Sequence, residues 1–442
     1  MTTTQHPSQT ADPTAATTTL IRGARLPDGS NTDLLLAGGI IAAAGPAETG
    51  ADRTIDADGL LVLPGLVDLH THLREPGRED SETVATGSAA AARGGFTAVL
   101  AMANTEPVTD TAEAALHIAA LGRAAGLVEV QPVGAVTRGL AGTELAELGL
   151  MARAAGVTIF SDDGFCVSDA RVMRRALEYV RAFDGVVAQH AQDPDLAGED
   201  ACCHEGDLSG RLGLPGWPDV AEETIVARDV TLARHTGSRL HVCHVSSAGT
   251  VDVLRWAKAR GIQVTAEVAP HHLLLTTDRL STYDPTFKVS PPLRPQEHVN
   301  ALREALADGT IDVVATDHAP HALHDKEHSF VDARPGMVGL EQALGVVAEV
   351  MVGGGLLDWT GVARVLSRRP AEIARLSGQG RPVAVGEPAN LVLVDPSRRH
   401  TVERTDTASR SVNNPYHGME LPDPVVATFF GGRQTYFSGD RA

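Results

Sequence analysis

Histidine and aspartate side chains recur at the ends of apolar segments in this sequence, where they could bind metal ions. His70 and His72 flank a threonine, and because side chains of a β-strand alternate between faces, the two imidazoles point the same way. Further histidines and carboxylates follow other apolar segments: His190, His244, the pair Asp162-Asp163, and Asp317. A set this rich in imidazole favours zinc among the divalent metals and exceeds what one catalytic ion with an open position requires.

The number of ligands leads to the hypothesis of a binuclear metal centre. His70 and His72 would hold one ion, His190 and His244 would hold the other, and a carboxylate would bridge them. Two ions that share a hydroxide lower its pKa towards neutrality, which makes a nucleophile available at physiological pH. This arrangement predicts metal-assisted hydrolysis as the reaction class.

The apolar segment of residues 239–245 contains two histidines, of which one is expected to reach this site. His241 and His244 are three positions apart, so they point to opposite faces of a strand. We predict that His244, nearer the C-terminal end, is the ligand and that His241 packs between strand and helix. Other histidines have no partner that the sequence identifies, and we assign them no site role: His204, His271, His272, His324 and His328.

These side chains need a scaffold that brings distant parts of the chain together. Between residues 64 and 378, eight apolar strand-like segments alternate with Ala-rich helical stretches, which is typical of a (β/α)8 barrel in the α/β class. The predicted strands are 67–71, 97–103, 128–136, 157–161, 185–190, 239–245, 263–268 and 311–316. Active sites of such barrels lie at the C-terminal ends of the strands, where the histidines and aspartates fall. A doubly wound open sheet is the alternative architecture.

Short β-like segments at both ends of the chain predict a second, smaller domain. We expect residues 19–63 and 379–442 to form one β-sandwich domain, and residues 64–378 to form the barrel. Residues 1–18 contain mostly Thr, Ala, Pro and Gln without periodicity. They are predicted to form a disordered extension.

Composition excludes several classes of partner and location. The 442 residues include 37 Lys and Arg but 56 Asp and Glu, which gives a formal charge of −19. This balance argues against nucleic acid and anionic membranes as partners, so any anionic substrate must be held by local positive charge. Four cysteines are too few for a disulfide scaffold, and no apolar run reaches the roughly 18–20 residues of a membrane span. We therefore predict a cytoplasmic protein.

A longer motif surrounds the first two histidines. Residues 64–77 read PGLVDLHTHLREPG, and five further stretches accompany it: MANTEPV (102–108), SDDG (161–164), HVCHVS (241–246), PPLR (291–294) and ATDHAPH (315–321). With these motifs the chain, from about residue 20 onwards, resembles the dihydroorotases of the amidohydrolase superfamily, in the class found as separate bacterial enzymes. The resemblance implies zinc-dependent, reversible hydrolysis of L-dihydroorotate to N-carbamoyl-L-aspartate in pyrimidine synthesis.

The resemblance also implies a role for each metal ligand. His70 and His72 would bind the first zinc together with Asp317, which would move the catalytic proton, and His190 and His244 would bind the second zinc.

Many relatives bridge the ions with a carboxylated lysine on the fourth strand, but this chain has no lysine before Lys258. The bridge therefore falls to the Asp-Asp-Gly turn. The spacing in relatives favours Asp163 over Asp162.

Substrate contacts are implied in the same way. Arg74 offers a planar fork that matches a carboxylate, and Asn104 and His321 are further donors. Ser290 stands where the family has Asn before the PPLR motif. The full implied set is His72, Arg74, Asn104, Ser290, His321, Pro335 and Gly336. The resemblance further implies a homo-oligomer, such as a dimer, and allows association with aspartate carbamoyltransferase.

Two other functions compete with this one. A hydantoinase or allantoinase shares the barrel and the metal ligands, but Arg74, the MANT stretch and the missing lysine favour a dihydroorotase. A non-catalytic homologue that scaffolds aspartate carbamoyltransferase is the other alternative. Such proteins lose metal ligands, whereas every expected position is present here.

Overall fold

The computed structural model describes residues 18–46 and 50–439, so the predicted N-terminal extension lies outside the described residues except for Thr18. The strands are β1 (Thr19–Arg25), β2 (Asn31–Ala37), β3 (Ile40–Ala44), β4 (Arg53–Asp56), β5 (Leu61–Pro64), β6 (Leu66–Thr71), β7 (Phe96–Ala101), β8 (Glu129–Pro132), β9 (Ile159–Phe160), β10 (Val186–Gln189), β11 (Cys203–His204), β12 (Gly216–Trp217), β13 (Arg239–Val242), β14 (Val264–Val268), β15 (Val313–Val314), β16 (Leu391–Val394), β17 (Arg399–Thr401), β18 (Glu420–Pro422), β19 (Val425–Phe430) and β20 (Arg433–Phe437).

The α-helices follow the barrel strands in most of the connections. They are α1 (Val84–Arg93), α2 (Ala112–Ala125), α3 (Leu148–Ala155), α4 (Ala170–Val180), α5 (Pro194–Ala197), α6 (Asp207–Leu212), α7 (Val220–Thr236), α8 (Ala248–Lys258), α9 (Pro270–Leu274), α10 (Gln296–Asp308), α11 (Leu323–Lys326), α12 (Ala343–Val347), α13 (Trp359–Ala363) and α14 (Arg369–Ala374). Several begin at a side chain that accepts from the first free N–H groups, such as Thr83, Asp169 and Ser247. Within the described ranges, no helix is long and apolar enough to cross a membrane.

Eight parallel strands close into a barrel, as the sequence predicts. One arc contains β6, β7 and β8, and the other contains β9, β10, β13, β14 and β15. A parallel bridge between Gly134 and Phe160 joins the arcs, and a second between Thr71 and His318 closes the circle. This closure excludes the open sheet. All of these strands except β6 are shorter than predicted, because residues at one or both ends of the predicted segments lie outside the ladder.

The barrel is held together by two apolar layers. Its interior is filled by side chains from many of the strands, including Leu69, Leu100, Val186 and Val313. The opposite faces of the strands pack against the helices and contribute to a large core. Removing this apolar surface from water is the main favourable term in folding. The packed interior leaves the C-terminal strand ends as the place where polar side chains meet.

Both chain ends build the predicted β domain. Its eight-stranded sheet has the order β20-β19-β16-β5-β1-β2-β3, with β4 beside β1. The sheet folds back on itself, since Ile40 in β3 bridges to Pro388, and its inner face buries side chains such as Leu36 and Phe429. The domain boundaries at 63/64 and 378/379 stay predictions.

One segment of the C-terminal part reaches the barrel. Residues 402–419, which we call the strap, connect β17 to β18. Glu341 accepts a hydrogen bond from the Ala408 N–H (2.8 Å), and Glu82 accepts one from the Arg410 N–H (3.0 Å). The strap thereby runs beside the residues that follow β6 and β15.

Candidate active site

A cavity of about 490 Å³ opens at the C-terminal ends of the barrel strands. Ten of the predicted site residues line it: His72, Arg74, Asn104, Asp163, His190, Ser290, Asp317, His321, Pro335 and Gly336. The other two, His70 and His244, are buried beside them, with 0% and 3% exposure. The fold therefore brings all the predicted site residues together.

Asp163 lies at the centre of the histidine cluster. Its Oδ1 is 3.3 Å from His70 Nε2, 3.4 Å from His190 Nδ1 and 3.2 Å from His244 Nε2. Its Oδ2 is 3.4 Å from His72 Nε2. The carboxylate thus faces both predicted histidine pairs at once, as a bridging ligand must.

Asp162 points elsewhere. Its Oδ1 accepts hydrogen bonds from the N–H groups of Val136 (2.8 Å) and Thr137 (2.9 Å), and its Oδ2 accepts one from the Thr137 hydroxyl. These bonds join the loops after β8 and β9. Of the two aspartates in the turn, only Asp163 reaches the cluster.

Asp317 completes the other side of the cluster. Its Oδ1 is 3.1 Å from His72 Nε2 and 3.6 Å from His70 Nε2. Among the described residues, ligand atoms within three triads lie within 4.8 Å of one another: His70, Asp163 and His244; His70, His72 and Asp317; and His70, Cys243 and Glu267. These distances suit side chains that converge on metal ions.

The first two histidines are oriented by other side chains. Glu267 Oε1 lies 2.6 Å from His70 Nδ1, and Asn104 Oδ1 lies 2.9 Å from His72 Nδ1. With a proton on each Nδ1, both Nε2 lone pairs face the carboxylates. Among the described residues, His70 Nε2 is buried without a hydrogen-bond partner. An orphaned imidazole nitrogen among carboxylates fits a metal ligand.

Charges in the cluster respond strongly to one another. Burial alone would lower the pKa of His70, but Asp163 and Glu267 raise it well above its usual value. Burial would raise the pKa of Asp317, but the contact with His72 and the charge of His70 hold it below its usual range. Burial, with the charge of Arg74, lowers the pKa of His72. Buried carboxylates that stay ionised attract a cation, which is the role a metal ion takes.

Three site residues have left-handed backbone conformations. The φ angles are 62° for Arg74, 31° for His244 and 49° for Asp317. Such angles cost about 1–3 kcal/mol in residues other than glycine and persist where the surroundings enforce them. Each residue closely follows a barrel strand, so the turn redirects its side chain towards the cavity or, for His244, towards Asp163 beside it.

This turn explains why the prediction for His241 is wrong. Strand β13 ends at Val242, and the left-handed conformation of His244 breaks the alternation on which the prediction relied. His241 faces the barrel interior, where its Nε2 lies 3.0 Å from Glu267 Oε2. It is therefore not packed between strand and helix.

Glu267 is a site residue that the sequence interpretation missed. It is 1% exposed, contacts His70 and His241, and accepts from the His244 N–H (3.2 Å). Burial opposes its ionisation, but the two histidines lower its pKa to about 2. A carboxylate within an apolar strand was the available signal, since such a charge is costly to bury without partners.

The far end of the cavity is positively charged. Arg74 is 8% exposed, its Nε donates to Pro320 O (3.0 Å), and its Nη2 lies 3.5 Å from His321 Nε2. Burial, with the charge of Arg78, lowers its pKa only to about 10, so it stays cationic at neutral pH. His321 Nε2 donates to Pro335 O (2.8 Å). This end can receive an anion.

The histidines and cysteines without assigned roles contribute to the core or the surface. His271 and His272 are 1% exposed, and burial lowers the pKa of His271 to about 4. All four cysteines are free thiols: Cys166, Cys202, Cys203 and Cys243.

Comparison with known proteins identifies relatives along nearly the whole chain. A family model described as dihydro-orotase-like matches residues 59–250. A dihydroorotase of Streptomyces coelicolor is 59% identical over 424 residues, covering 95% of this chain and 99% of that protein. A dihydroorotase of Leifsonia xyli is 61% identical, covering 96% and 97%. The chain belongs to the dihydroorotase family.

Solved structures support the fold of this family member. An L-hydantoinase of Arthrobacter aurescens has a TM-score of 0.84 at 26% identity, covering 96% of this chain and 97% of that one. A dihydropyrimidinase of Brevibacillus agri has a TM-score of 0.83 at 23% identity with the same coverage. The barrel with its β-sandwich domain is thus an architecture common to these proteins.

Proposed function

We propose that this protein catalyses the reversible hydrolysis of L-dihydroorotate to N-carbamoyl-L-aspartate, a step of pyrimidine synthesis. The arrangement of the cavity is the observation that carries the proposal. Buried Arg74 lies at one end and the carboxylates of Asp163 and Asp317 lie among histidines at the other. Such a cavity suits a small ring that carries a carboxylate on one side and a hydrolysable amide on the other.

The histidine cluster would hold two zinc ions. His70, His72 and Asp317 would bind one, His190 and His244 would bind the other, and Asp163 would bridge them. When bound, the metal supplies Lewis acidity, which polarises a carbonyl and lowers the pKa of water. Glu267 and Asn104 hold the His70 and His72 rings in the ligating orientation.

Asp317 moves the proton of the reaction. Its carboxylate is ionised at neutral pH and faces the cavity, so one of its oxygens accepts a proton as water attacks the ring amide carbon. The carbon–nitrogen bond then breaks, and Asp317 returns the proton to the leaving ring nitrogen. In the cyclisation direction it removes the proton from the carbamoyl nitrogen, as microscopic reversibility requires.

Arg74 orients the substrate by its carboxylate. Its guanidinium is fixed by Pro320 O, so the remaining N–H groups can bind both carboxylate oxygens. His321, Asn104, Ser290 and the Pro335-Gly336 backbone line the same end and add polar contacts. The reacting amide would thereby lie beside Asp163 and Asp317.

The test is turnover of purified protein in both directions, with metal content measured on the same sample. We expect dihydroorotate hydrolysis, N-carbamoyl-L-aspartate cyclisation, and about two zinc ions per chain. Absence of turnover on both compounds would overturn the activity. Full activity with no bound metal would overturn the metal centre.

Hydantoin-type cyclic amides are the second candidate substrates, because the solved structures with this fold include an L-hydantoinase. Buried Arg74 favours a substrate with a carboxylate, and hydantoin has none. Turnover of dihydroorotate, hydantoin and allantoin should therefore be compared. A higher kcat/KM on hydantoin or allantoin would reverse the assignment.

Location and partners complete the proposal. We place the protein in the cytoplasm as a homo-oligomer such as a dimer, and association with aspartate carbamoyltransferase is part of the same proposal. Free cysteines and the acidic charge agree with this location. Light scattering tests both associations. The molar mass of the protein alone gives its oligomeric state, and the molar mass of a mixture with aspartate carbamoyltransferase shows whether the two proteins bind each other.

A further inference from the structure

Asn413 in the strap lies where two cavity-lining loops meet. One loop contains residues 319–321 and the other contains residues 335–338. Both contribute lining residues to the anion end of the cavity, whereas Asn413 itself is 5% exposed and is not part of the lining. Its effect on the site must therefore act through these loops.

The side-chain amide of Asn413 contacts both loops. Its Oδ1 accepts from the His321 N–H (3.1 Å), and its Nδ2 donates to Ala319 O (2.9 Å) and Gly336 O (3.1 Å). Its own carbonyl accepts from the Val338 N–H (3.2 Å). Only an amide can accept one hydrogen bond and donate two in this way, so asparagine suits the position better than aspartate.

The two loops are close enough for small shifts to matter. Gly336 has a φ of 141°, and a Cβ there would lie 2.7 Å from His321 Nε2. His321 Nε2 in turn donates to Pro335 O (2.8 Å) and lies 3.5 Å from Arg74 Nη2. Without the amide, Ala319 O and Gly336 O would lose their donors. The bond from the Ala319 N–H to Met337 O (2.8 Å) would still join the loops, but residues 320–321 and 335–336 would be free to shift relative to each other.

The strap is held on both sides of Asn413. Towards its N-terminal side, Ser411 Oγ donates to Ser81 O (2.6 Å). Towards its C-terminal side, Asn414 Nδ2 donates to Gln342 Oε1 (3.2 Å), and its Oδ1 accepts from the Tyr416 N–H (2.9 Å). Asn413 is thus presented to the loops by fixed neighbours.

We propose that Asn413 is a positioning residue that holds the anion end of the cavity in its binding geometry and so determines recognition of the substrate carboxylate. The proposal rests on the proposed function and extends it to a residue outside the barrel. Residues that contact a substrate must be held within about 0.5 Å of their binding geometry by the residues behind them.

Steady-state kinetics of Asn413→Asp and Asn414→Asp test the proposal. The aspartate at 413 keeps the acceptor for His321 N–H but places negative charge against two carbonyls. We expect KM for dihydroorotate to rise on the order of tenfold or more while kcat stays within about threefold, because orientation at the carboxylate is lost. In Asn414→Asp the Gln342 amide can rotate to donate to the new carboxylate, which also keeps the bond from the Tyr416 N–H, so the strap stays held and both parameters should remain within about twofold.

A carboxylate-free ring separates positioning from general damage. Inhibition by 5,6-dihydrouracil, which lacks the carboxylate, should change less than about twofold in Asn413→Asp, since it does not use the anion end. Equal loss of affinity for both rings, or an unchanged KM for dihydroorotate, would overturn the proposal. If Asn413→Asp does not fold, Asn413→Ser, which leaves room for water, is measured in its place.

Hydrogen exchange distinguishes a failure of the Asn413 proposal from a failure of the proposed function. In Asn413→Asp, but not in Asn414→Asp, amides in residues 319–340 should exchange at least about tenfold faster in the substrate-free protein. Unchanged exchange would overturn the positioning role. If wild-type protein does not turn over dihydroorotate, the proposed function fails, and exchange still decides whether Asn413 holds the loops.

Discussion

At the scale of single residues, the site depends on where a few charges are placed. Two adjacent aspartates have different tasks, since Asp163 faces four histidines and Asp162 accepts from backbone N–H groups. Glu267 places a third carboxylate behind the cluster, in contact with His70 and His241. Each task can be tested by removing one charge at nearly constant shape.

Asp163→Asn and Asp162→Asn form a matched pair. Loss of the Asp163 charge should remove metal and lower kcat at least about a hundredfold, because the anion between the histidines is gone. Asp162→Asn should keep the metal and lose about 1 kcal/mol of unfolding free energy, since its partners are two backbone N–H groups and the Thr137 hydroxyl rather than the cluster. Metal analysis and urea unfolding measure both effects. If Asp162→Asn lost its metal and Asp163→Asn kept it, the prediction that Asp163 is the metal ligand would be wrong.

Glu267→Gln should weaken metal binding without changing the cavity. Without the carboxylate, His70 is a poorer ligand, and metal affinity should fall about 10- to 100-fold. Competition with a chelator measures the affinity. Glu341→Gln, which changes a carboxylate bonded to the strap, is the control. Equal affinities in both variants would exclude the role of Glu267.

At the scale of elements, the loops around the cavity are tied together by a few buried polar groups. Lys326, at the end of α11, donates from Nζ to the carbonyls of Pro285 (3.1 Å), Lys288 (3.3 Å) and Arg334 (2.7 Å). It is 8% exposed, and burial, with the charge of Lys288, lowers its pKa to about 7. The loop before Pro335 thus depends on the buried Lys326 side chain, which has three N–H donors only when it is protonated.

This pKa makes the stability contribution of Lys326 depend on pH. Between about pH 7 and pH 10 the unfolded chain holds a proton that the folded state has released, so unfolding free energy rises with pH. Below about pH 7 both states are protonated, and the cost of the buried charge is fully present. Relative to Lys326→Met, wild type should gain up to about 1.4 kcal/mol per pH unit in this window. Urea unfolding from pH 7 to 9 tests this; a constant difference would contradict it.

At the scale of the whole molecule, an acidic protein must admit an anionic substrate. The chain has a formal net charge of −19, yet three arginines line the cavity: Arg74, Arg78 and Arg334. Asp325 pairs with the latter two, at 2.8 Å from Arg78 Nη2 and 3.1 Å from Arg334 Nε. Glu106, Asp163 and Asp317 also line the cavity, so the positive charge is local to the end at Arg74, where it opposes the field of the whole surface.

The local positive charge around Arg74 predicts a salt dependence of catalysis. Raising ionic strength from about 20 mM to about 300 mM should lower kcat/KM several-fold, because screening removes long-range attraction. Arg78→Gln should lower kcat/KM about three- to tenfold at low salt and flatten the dependence. Arg381→Gln, an exposed change in the β domain, is the control. Parallel salt curves for wild type and Arg78→Gln would show that Arg78 does not steer substrate.

Much of this organisation follows from the sequence itself. Apolar periodicity and turn residues are local properties, so the eight barrel strands and the β segments at both ends could be predicted before the structure. The types of residue at the strand ends are also visible in the sequence, and they indicated the histidines and aspartates of the site. Together with the family resemblance, the lack of lysine before Lys258 directed the predicted metal bridge to the Asp-Asp-Gly turn.

Only the tertiary structure decided how distant segments meet. Closure of the barrel, the placement of Asp163 rather than Asp162 in the cluster and the inward direction of His241 depend on strand register and on a left-handed turn. Asn413 reaches the cavity loops from a strap that sequence spacing separates from His321 by 92 residues. Contacts of this range depend on the packing of whole elements, and no local pattern of side chains records them.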